Sequence, residues 1–194
     1  MSTQTLTLSR AVLPRASATT TAGLVGAGVL LLWASAAVTV PLWFTPVPLT
    51  LQTFATLLLG AAYGARLGAA TFATYLLVGL AGAPVFADGN GGLDVLRLPT
   101  LGYLAGMLLA SALVGALAER GWDRSVRGTV AAMVLGNAVI YALGVSWLMA
   151  RLHVGLVKGL HLGMTPFLAG DAIKIAAATA VLPGAWTLVR RWRS

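Results

Sequence analysis

The sequence contains no cysteine and few charged residues. Only 5 Asp or Glu and 13 Lys or Arg occur among 194 residues, so charged side chains make up 9% of the chain, against about 25% in a soluble domain. The lack of cysteine excludes disulfides, thiolate metal sites and cysteine nucleophiles. The shortage of charge excludes a soluble enzyme, a disordered chain and a nucleic-acid-binding domain, although the net charge is +8.

The chain instead contains long apolar stretches, and 58% of its residues are hydrophobic. A stretch of about 20 apolar residues can cross the ~30 Å hydrocarbon core of a bilayer as a helix. The stretches 21–44, 99–118, 129–150 and 167–189 each supply one span, and residues 49–83 supply two short helices separated by a turn at 63–68. The sequence therefore predicts an all-α integral membrane protein with six transmembrane helices.

The loop arginines and lysines predict the orientation of these spans. Nine of the 13 cations fall on one side of a six-span topology, namely Arg10, Arg15, Arg66, Arg120, Arg124, Arg127, Arg190, Arg191 and Arg193. Three fall on the other side, namely Arg97, Arg151 and Lys158, and the thirteenth, Lys174, lies inside a span. Cations near helix ends stay in the cytoplasm, so we predict a multi-pass protein of the cytoplasmic membrane with both termini inside. Residues 1–20 are predicted to be a mobile cytoplasmic tail, and residues 21–194 the transmembrane domain.

The N-terminal segment also has features of a cleaved signal peptide. Arg10 and Arg15 precede an apolar run that contains Ala34-Ser35-Ala36, a sequence of small residues like a cleavage site. The apolar run continues to Phe44, however, and its removal would leave five spans that conflict with the loop charges. We therefore interpret residues 21–44 as the first transmembrane helix.

Two charged residues lie inside the last predicted helix. Thr165 and Pro166 predict its start as N-cap and first-turn proline, which places Asp171 and Lys174 on one face within the membrane. Ionisable groups at that depth usually face a bundle interior or an aqueous cavity and are functional; a structural ion pair between helices is the alternative. The fifth predicted helix adds a polar and aromatic lining suited to an amphipathic carboxylate, formed by Asn137, Tyr141, Ser146 and Trp147.

Two outer segments carry further signals. The first outer segment, residues 45–52, contains two prolines that favour an extended conformation and ends at Gln52, which serves either as a ligand contact or as a helix end cap. The second outer segment, residues 83–94, contains Pro84 and three glycines. Because glycine permits close backbone approach to a ligand, this segment predicts a loop that folds over a bound molecule.

Five segments in order resemble the BioY family of biotin transporters. They are PVPLTLQT at 46–53, GLAGAPVF at 79–86, PTLGYLAG at 99–106, GNAVIY at 136–141 and PFLAGDAIK at 166–174. BioY proteins are the substrate-binding S components of energy-coupling factor (ECF) uptake systems. The resemblance covers about residues 20–185 and implies a six-helix S-component fold with a biotin pocket capped by the two outer segments.

The resemblance also implies roles for individual residues. Asn90 looks like the family's contact to the ureido ring of biotin. Asp171 and Lys174 look like its polar site on helix 6, where the lysine would face the valerate carboxylate. Arg97 could assist at the carboxylate, and the implied lining residues are Gln52, Phe86, Tyr103, Tyr141 and Trp147. No cofactor and no metal ion is implied.

The implied partners are a transmembrane coupling subunit and an ATPase pair. The family's coupling contact is a patch of small residues on helix 1, and the loose equivalents here are Ala22, Gly23, Gly26 and Ala27. This chain has no phosphate-binding Gly-Lys motif and is not predicted to be an enzyme. Three alternatives stay open: solitary or homo-oligomeric function, an S component for another vitamin such as riboflavin or thiamine, and an intramembrane enzyme. The enzyme would use Asp171 as acid and base and Lys174 as electrostatic stabiliser.

Overall fold

The computed structural model describes residues 6–13 and 15–193. The described helices are α1 (Leu8–Val12), α2 (Ala18–Ala37), α3 (Gln52–Tyr63), α4 (Ala65–Leu80), α5 (Leu101–Ala118), α6 (Val126–Leu152), α7 (Leu156–Gly163) and α8 (Leu168–Arg193). Strands β1 (Thr39–Val40) and β2 (Leu49–Thr50) pair antiparallel, with Thr39 opposite Thr50. Short 3-10 turns cover Ala87–Gly89, Leu93–Arg97, Trp122–Arg124 and Thr165–Phe167.

The six predicted spans correspond to α2, α3, α4, α5, α6 and α8, so the predicted all-α six-helix architecture is confirmed. Four described segments are long and apolar enough to cross a membrane alone, namely Ala18–Ala37, Leu101–Ala118, Val126–Leu152 and Leu156–Trp192. Helices α3 and α4 have 12 and 16 residues and measure about 18 and 24 Å at ~1.5 Å per residue. They are the two short helices predicted for residues 49–83, with Gly64 at positive φ between them.

The predicted tail contains structure that the sequence did not indicate. Helix α1 lies within residues 1–20, and its Ala11 packs with Trp186 and Val189 of α8. Helix α2 begins at Ala18, three residues before the predicted start of the domain. Residues 1–5 and 14 lie outside the described residues, and the mobility of the tail and its boundary at residue 20 stay predictions.

Both ends of the described chain lie at the same end of the bundle. The Arg124 side chain donates a hydrogen bond to the Leu6 carbonyl at 3.1 Å and lies 4.3 Å from the Trp186 ring centroid. At this end Trp186 Nε1 also donates to Asp123 Oδ2 at 2.6 Å. Burial raises the pKa of the Asp123 carboxyl, an effect that the hydrogen bond from Trp186 opposes.

Close packing brings α3, α5 and α6 together beneath the outer segments. A Cβ at Gly102 would lie 2.3 Å from Trp147 Cβ, and one at Gly106 would lie 2.8 Å from Ile140 Cα. Glycine therefore allows the α5 and α6 backbones to approach closely, as the small-xxx-small spacing of these two residues predicts. A Cβ at Gly60 of α3 would meet the backbone of α5 in the same way. These contacts fix the helix positions that shape the cavity beneath the outer segments.

Candidate functional site

A cavity of about 220 Å³ lies at the end of the bundle opposite the ends of the described chain, beneath the two outer segments. This volume is below the range of about 300–1,000 Å³ typical of ligand pockets, so the cavity suits a small molecule. Seven of the nine site residues implied by the resemblance line it, namely Gln52, Phe86, Asn90, Tyr103, Tyr141, Asp171 and Lys174. Its remaining lining is mainly apolar and includes Val95, Leu104, Met107, Ile140 and Phe167.

The polar wall of the cavity joins three helices. Lys174 Nζ on α8 donates to Thr53 Oγ1 on α3 at 2.8 Å and to Asp171 Oδ1 at 3.2 Å. Tyr141 on α6 donates to the other carboxylate oxygen of Asp171. The ammonium has three N–H groups, so one remains for a ligand after these two contacts. The wall can therefore offer a positive donor to an anionic group while Asp171 balances its charge.

Asp171 and Lys174 are both largely buried, with side-chain exposures of 7% and 13%. The prediction that they lie on one face of the last helix is confirmed. The predicted N-cap is wrong, because Thr165 begins a 3-10 turn and its hydroxyl donates to the Leu160 carbonyl at 3.2 Å. The helix starts at Leu168 instead, so Asp171 lies in its first turn.

The first outer segment forms one rim of the cavity. Pro46, Val47 and Pro48 line it, and the Thr45 hydroxyl donates to the Leu162 carbonyl near the end of α7 at 2.8 Å. The segment leads into β2 and then into α3, where Gln52 is 3% exposed and its Nε2 donates to the Tyr75 hydroxyl at 3.0 Å. The first outer segment is thus held at one end by the hydrogen bond from Thr45 and at the other by the hydrogen bond from Gln52.

The second outer segment folds back onto α4. Gly92 N–H donates to the Gly79 carbonyl at 2.7 Å. A Cβ at Gly79 would lie 2.2 Å from the Phe86 ring, so glycine lets this ring pack directly on the helix. Asn90 is exposed at the cavity mouth and donates through Nδ2 to the Ala87 carbonyl at 2.8 Å. Its amide oxygen and second N–H therefore remain for a ligand.

Tyr103 of α5 forms a further part of the wall. Its hydroxyl donates to the Gly163 carbonyl at 2.7 Å, which ties α5 to the end of α7. A Cβ at Gly144 of α6 would lie 2.3 Å from Tyr103 Cδ1. The Tyr103 ring therefore packs against the Gly144 backbone, and any side chain at position 144 would clash with it.

Trp147 and Arg97 are not among the residues that line the cavity, and neither are Asn137 and Ser146 of the polar lining predicted on the fifth helix. Trp147 Nε1 donates to the Leu98 carbonyl at 2.9 Å, and Leu98 itself lines the cavity. Arg97 is exposed, and its carbonyl accepts hydrogen bonds from the Arg151 guanidinium at 2.8 and 3.1 Å. Trp147 therefore contacts the cavity only indirectly, through Leu98. The Arg97 side chain lies on the surface of the protein.

Sequence reasoning missed two polar residues that complete the site. Thr53 accepts the hydrogen bond from Lys174, and its position directly after Gln52 in the PVPLTLQT segment was an available signal. Tyr75 lies in the middle of α4, is fully buried, and contacts Gln52. A tyrosine within an apolar helix gives no sequence signal that distinguishes it from ordinary packing.

Comparisons with known proteins agree with this geometry. The model of the BioY family matches residues 4–191. The "Biotin transporter BioY" of Thermotoga maritima is 40% identical over 136 residues, which cover 70% of this chain and 79% of that protein. The protein of the same name from Rhizobium etli is 35% identical over 146 residues, covering 72% of this chain and 78% of that protein. These relatives are named as transporters, as expected for a chain predicted not to be an enzyme.

A solved structure shares the fold. It is the crystal structure at 2.1 Å of the S-component for biotin from an ECF-type ABC transporter, with a TM-score of 0.75 and 24% identity over 90% of this chain and 91% of that chain. The six-helix bundle described above is therefore the S-component fold, and the protein is a multi-pass membrane protein. On the family model, which spans nearly all of its sequence, and on its transporter relatives, the chain belongs to the BioY family.

Proposed function

We propose that this protein takes up biotin across the cytoplasmic membrane as the substrate-binding S component of an ECF-type transporter. The observation that carries this proposal is the cavity beneath the outer segments, in which an apolar lining meets the Lys174, Asp171 and Tyr141 wall. Biotin has the matching amphipathic character, with an apolar ring system, a polar urea and a carboxylate. The names of the relatives support the same substrate.

The free donor of Lys174 would bind the valerate carboxylate of biotin. Its ammonium already contacts Thr53 and Asp171, so its position is fixed before the ligand arrives. A charge-assisted hydrogen bond in a site shielded from water is among the stronger polar contacts available. Thr53 and Asp171 thereby lower the cost of ordering the lysine when biotin binds.

Asn90 and Gln52 would serve the urea of biotin. The urea presents one carbonyl acceptor and two N–H donors, and a carboxamide can match either kind. Phe86 and Tyr103 supply apolar walls. Trp147 would act indirectly by holding Leu98. For Arg97, the exposed position outside the lining indicates a role in long-range attraction of the carboxylate, without direct contact.

The coupling subunit would contact the exposed face of α2. Ala22, Gly23, Gly26 and Ala27 are all exposed there, and a Cβ at Gly23 or Gly26 would meet no atom within 4 Å. Small residues allow another helix to pack closely in a membrane. We expect Gly23→Leu to abolish co-purification with the coupling and ATPase subunits while biotin binding by the isolated protein is unchanged.

An uptake assay tests the proposal. The protein should be expressed with ECF subunits in cells that lack their own biotin uptake, and accumulation of labelled biotin measured with and without excess riboflavin or thiamine. We expect uptake that unlabelled biotin abolishes and the other vitamins do not affect. Competition by riboflavin or thiamine would overturn the biotin assignment. Full uptake without the ATPase subunits would instead indicate that the protein works alone or as a homo-oligomer.

A further inference from the structure

Tyr75 connects the cavity to the second outer segment. Its side chain is fully buried in α4, and its hydroxyl donates to the Val85 carbonyl of that segment at 2.7 Å. The same oxygen accepts from Gln52 Nε2 at 3.0 Å, and Gln52 lines the cavity. One phenol therefore contacts both a cavity residue and the loop above it.

The number of protons available in the hydrogen bonds between Val85, Tyr75 and Gln52 fixes the orientation of the Gln52 amide. A phenol has one proton, and the Val85 carbonyl, which can only accept, uses it. Tyr75 can then only accept from Gln52, so the glutamine must turn its NH₂ group toward the phenol. Its amide oxygen makes no hydrogen bond to any other described residue and is left as an acceptor for the cavity.

We propose that Tyr75 is a positioning residue that orients the Gln52 amide oxygen to accept a hydrogen bond from a ligand N–H. This orientation depends on the contact between Tyr75 and Val85 of the second outer segment. If Val85 moves away, the phenol proton becomes free to bond to the Gln52 oxygen. The amide can then rotate and present N–H groups, which repel an N–H donor. The inference rests on the proposed function, because the urea of biotin supplies the N–H group.

Packing around the ring makes Tyr75→Phe a suitable test. The ring packs against Phe72 and Phe86 with centroid distances of 5.6 and 5.3 Å, and phenylalanine keeps these contacts while it removes only the hydroxyl. Loss of one ordinary hydrogen bond changes affinity by roughly 3- to 10-fold. We expect biotin to bind Tyr75→Phe about that much more weakly, with faster dissociation.

A double-mutant cycle with Gln52→Met separates positioning from general stability. If Tyr75 acts through Gln52, Tyr75→Phe should weaken biotin binding in the wild-type background and have almost no further effect in the Gln52→Met background. Tyr63→Phe is the matched control, because it also removes a hydroxyl bond to a backbone carbonyl, that of Leu24 at 2.9 Å, but outside the cavity lining. Its biotin affinity should equal that of the wild type.

The outcomes distinguish this inference from the proposed function. A wild-type protein that does not bind biotin refutes the proposed function. Wild-type binding with no loss in Tyr75→Phe, or an equal loss in both backgrounds, overturns the positioning role. Should Tyr75→Phe not fold, Gln52→Met keeps the inference falsifiable, because wild-type biotin affinity in that variant overturns it.

Discussion

Replacement of Lys174 by methionine tests the most specific contact that the site offers. Methionine keeps most of the length of the side chain and removes the ammonium. The structure leaves one N–H of Lys174 for a ligand after the contacts to Thr53 and Asp171. A hydrogen bond to a charged group contributes about 1.5–3 kcal/mol, so its loss should weaken biotin binding about 10- to 150-fold at ~1.4 kcal/mol per tenfold change.

The assay is equilibrium titration of detergent-purified protein with biotin and with its primary amide, which lacks the carboxylate charge. Lys174→Met should lose affinity for biotin by the factor above and for the amide by a smaller factor, because the neutral amide carbonyl gains no ion pairing with the ammonium. Lys158→Met is the matched control: Lys158 is the other lysine of the chain and is exposed on α7, so its affinities should not change. An equal loss for both ligands would refute carboxylate recognition and leave Lys174 as a structural link between α3 and α8.

Two further predictions concern packing and pH. Gly144→Ala should destabilise the fold by about 1–3 kcal/mol and weaken biotin binding, because the new Cβ would lie 2.3 Å from the Tyr103 ring; thermal unfolding should show no such loss for Gly184→Ala, where nothing lies within 4 Å. Since burial raises the pKa of Asp123 above its ordinary value of 3.8, the folded protein holds that proton more tightly than the unfolded chain. The contribution of Asp123 to stability is therefore complete below pH 3.8 and is lost as the pH rises through the raised pKa. Asp123→Asn should reduce the decline in melting temperature between pH 4 and 8. An unchanged decline would exclude Asp123 as the cause of this pH dependence.

The architecture could be predicted because the bilayer restricts the sequence. A span requires about 20 apolar residues, so the apolar middle of each span is visible in the sequence. Asp171 and Lys174 stand out because they interrupt the last of these apolar stretches. The short helices α1 and α7 were not predicted. Both have eight or fewer residues, and α7 is ordered by tertiary contacts such as that of Gly163 with Tyr103.

Without the resemblance to the BioY family, the site could be predicted only where two charged residues share one helix. Asp171 and Lys174 share a helix face, so their spacing places them together. The direction of Trp147 depends instead on packing of α5 against α6, which turns its indole toward Leu98. The role of Tyr75 depends on the fold of the second outer segment, which brings Val85 to it. No local pattern contains that information.

The most direct test of biotin as the ligand is equilibrium titration of the purified wild-type protein with biotin, riboflavin and thiamine in turn. The cavity beneath the outer segments, with its apolar lining and one free N–H of Lys174, predicts saturable binding of one biotin per chain. It also predicts no measurable binding of the other two vitamins at the same concentrations. Binding of riboflavin or thiamine as tight as that of biotin, or no binding of biotin, would contradict this account of the cavity.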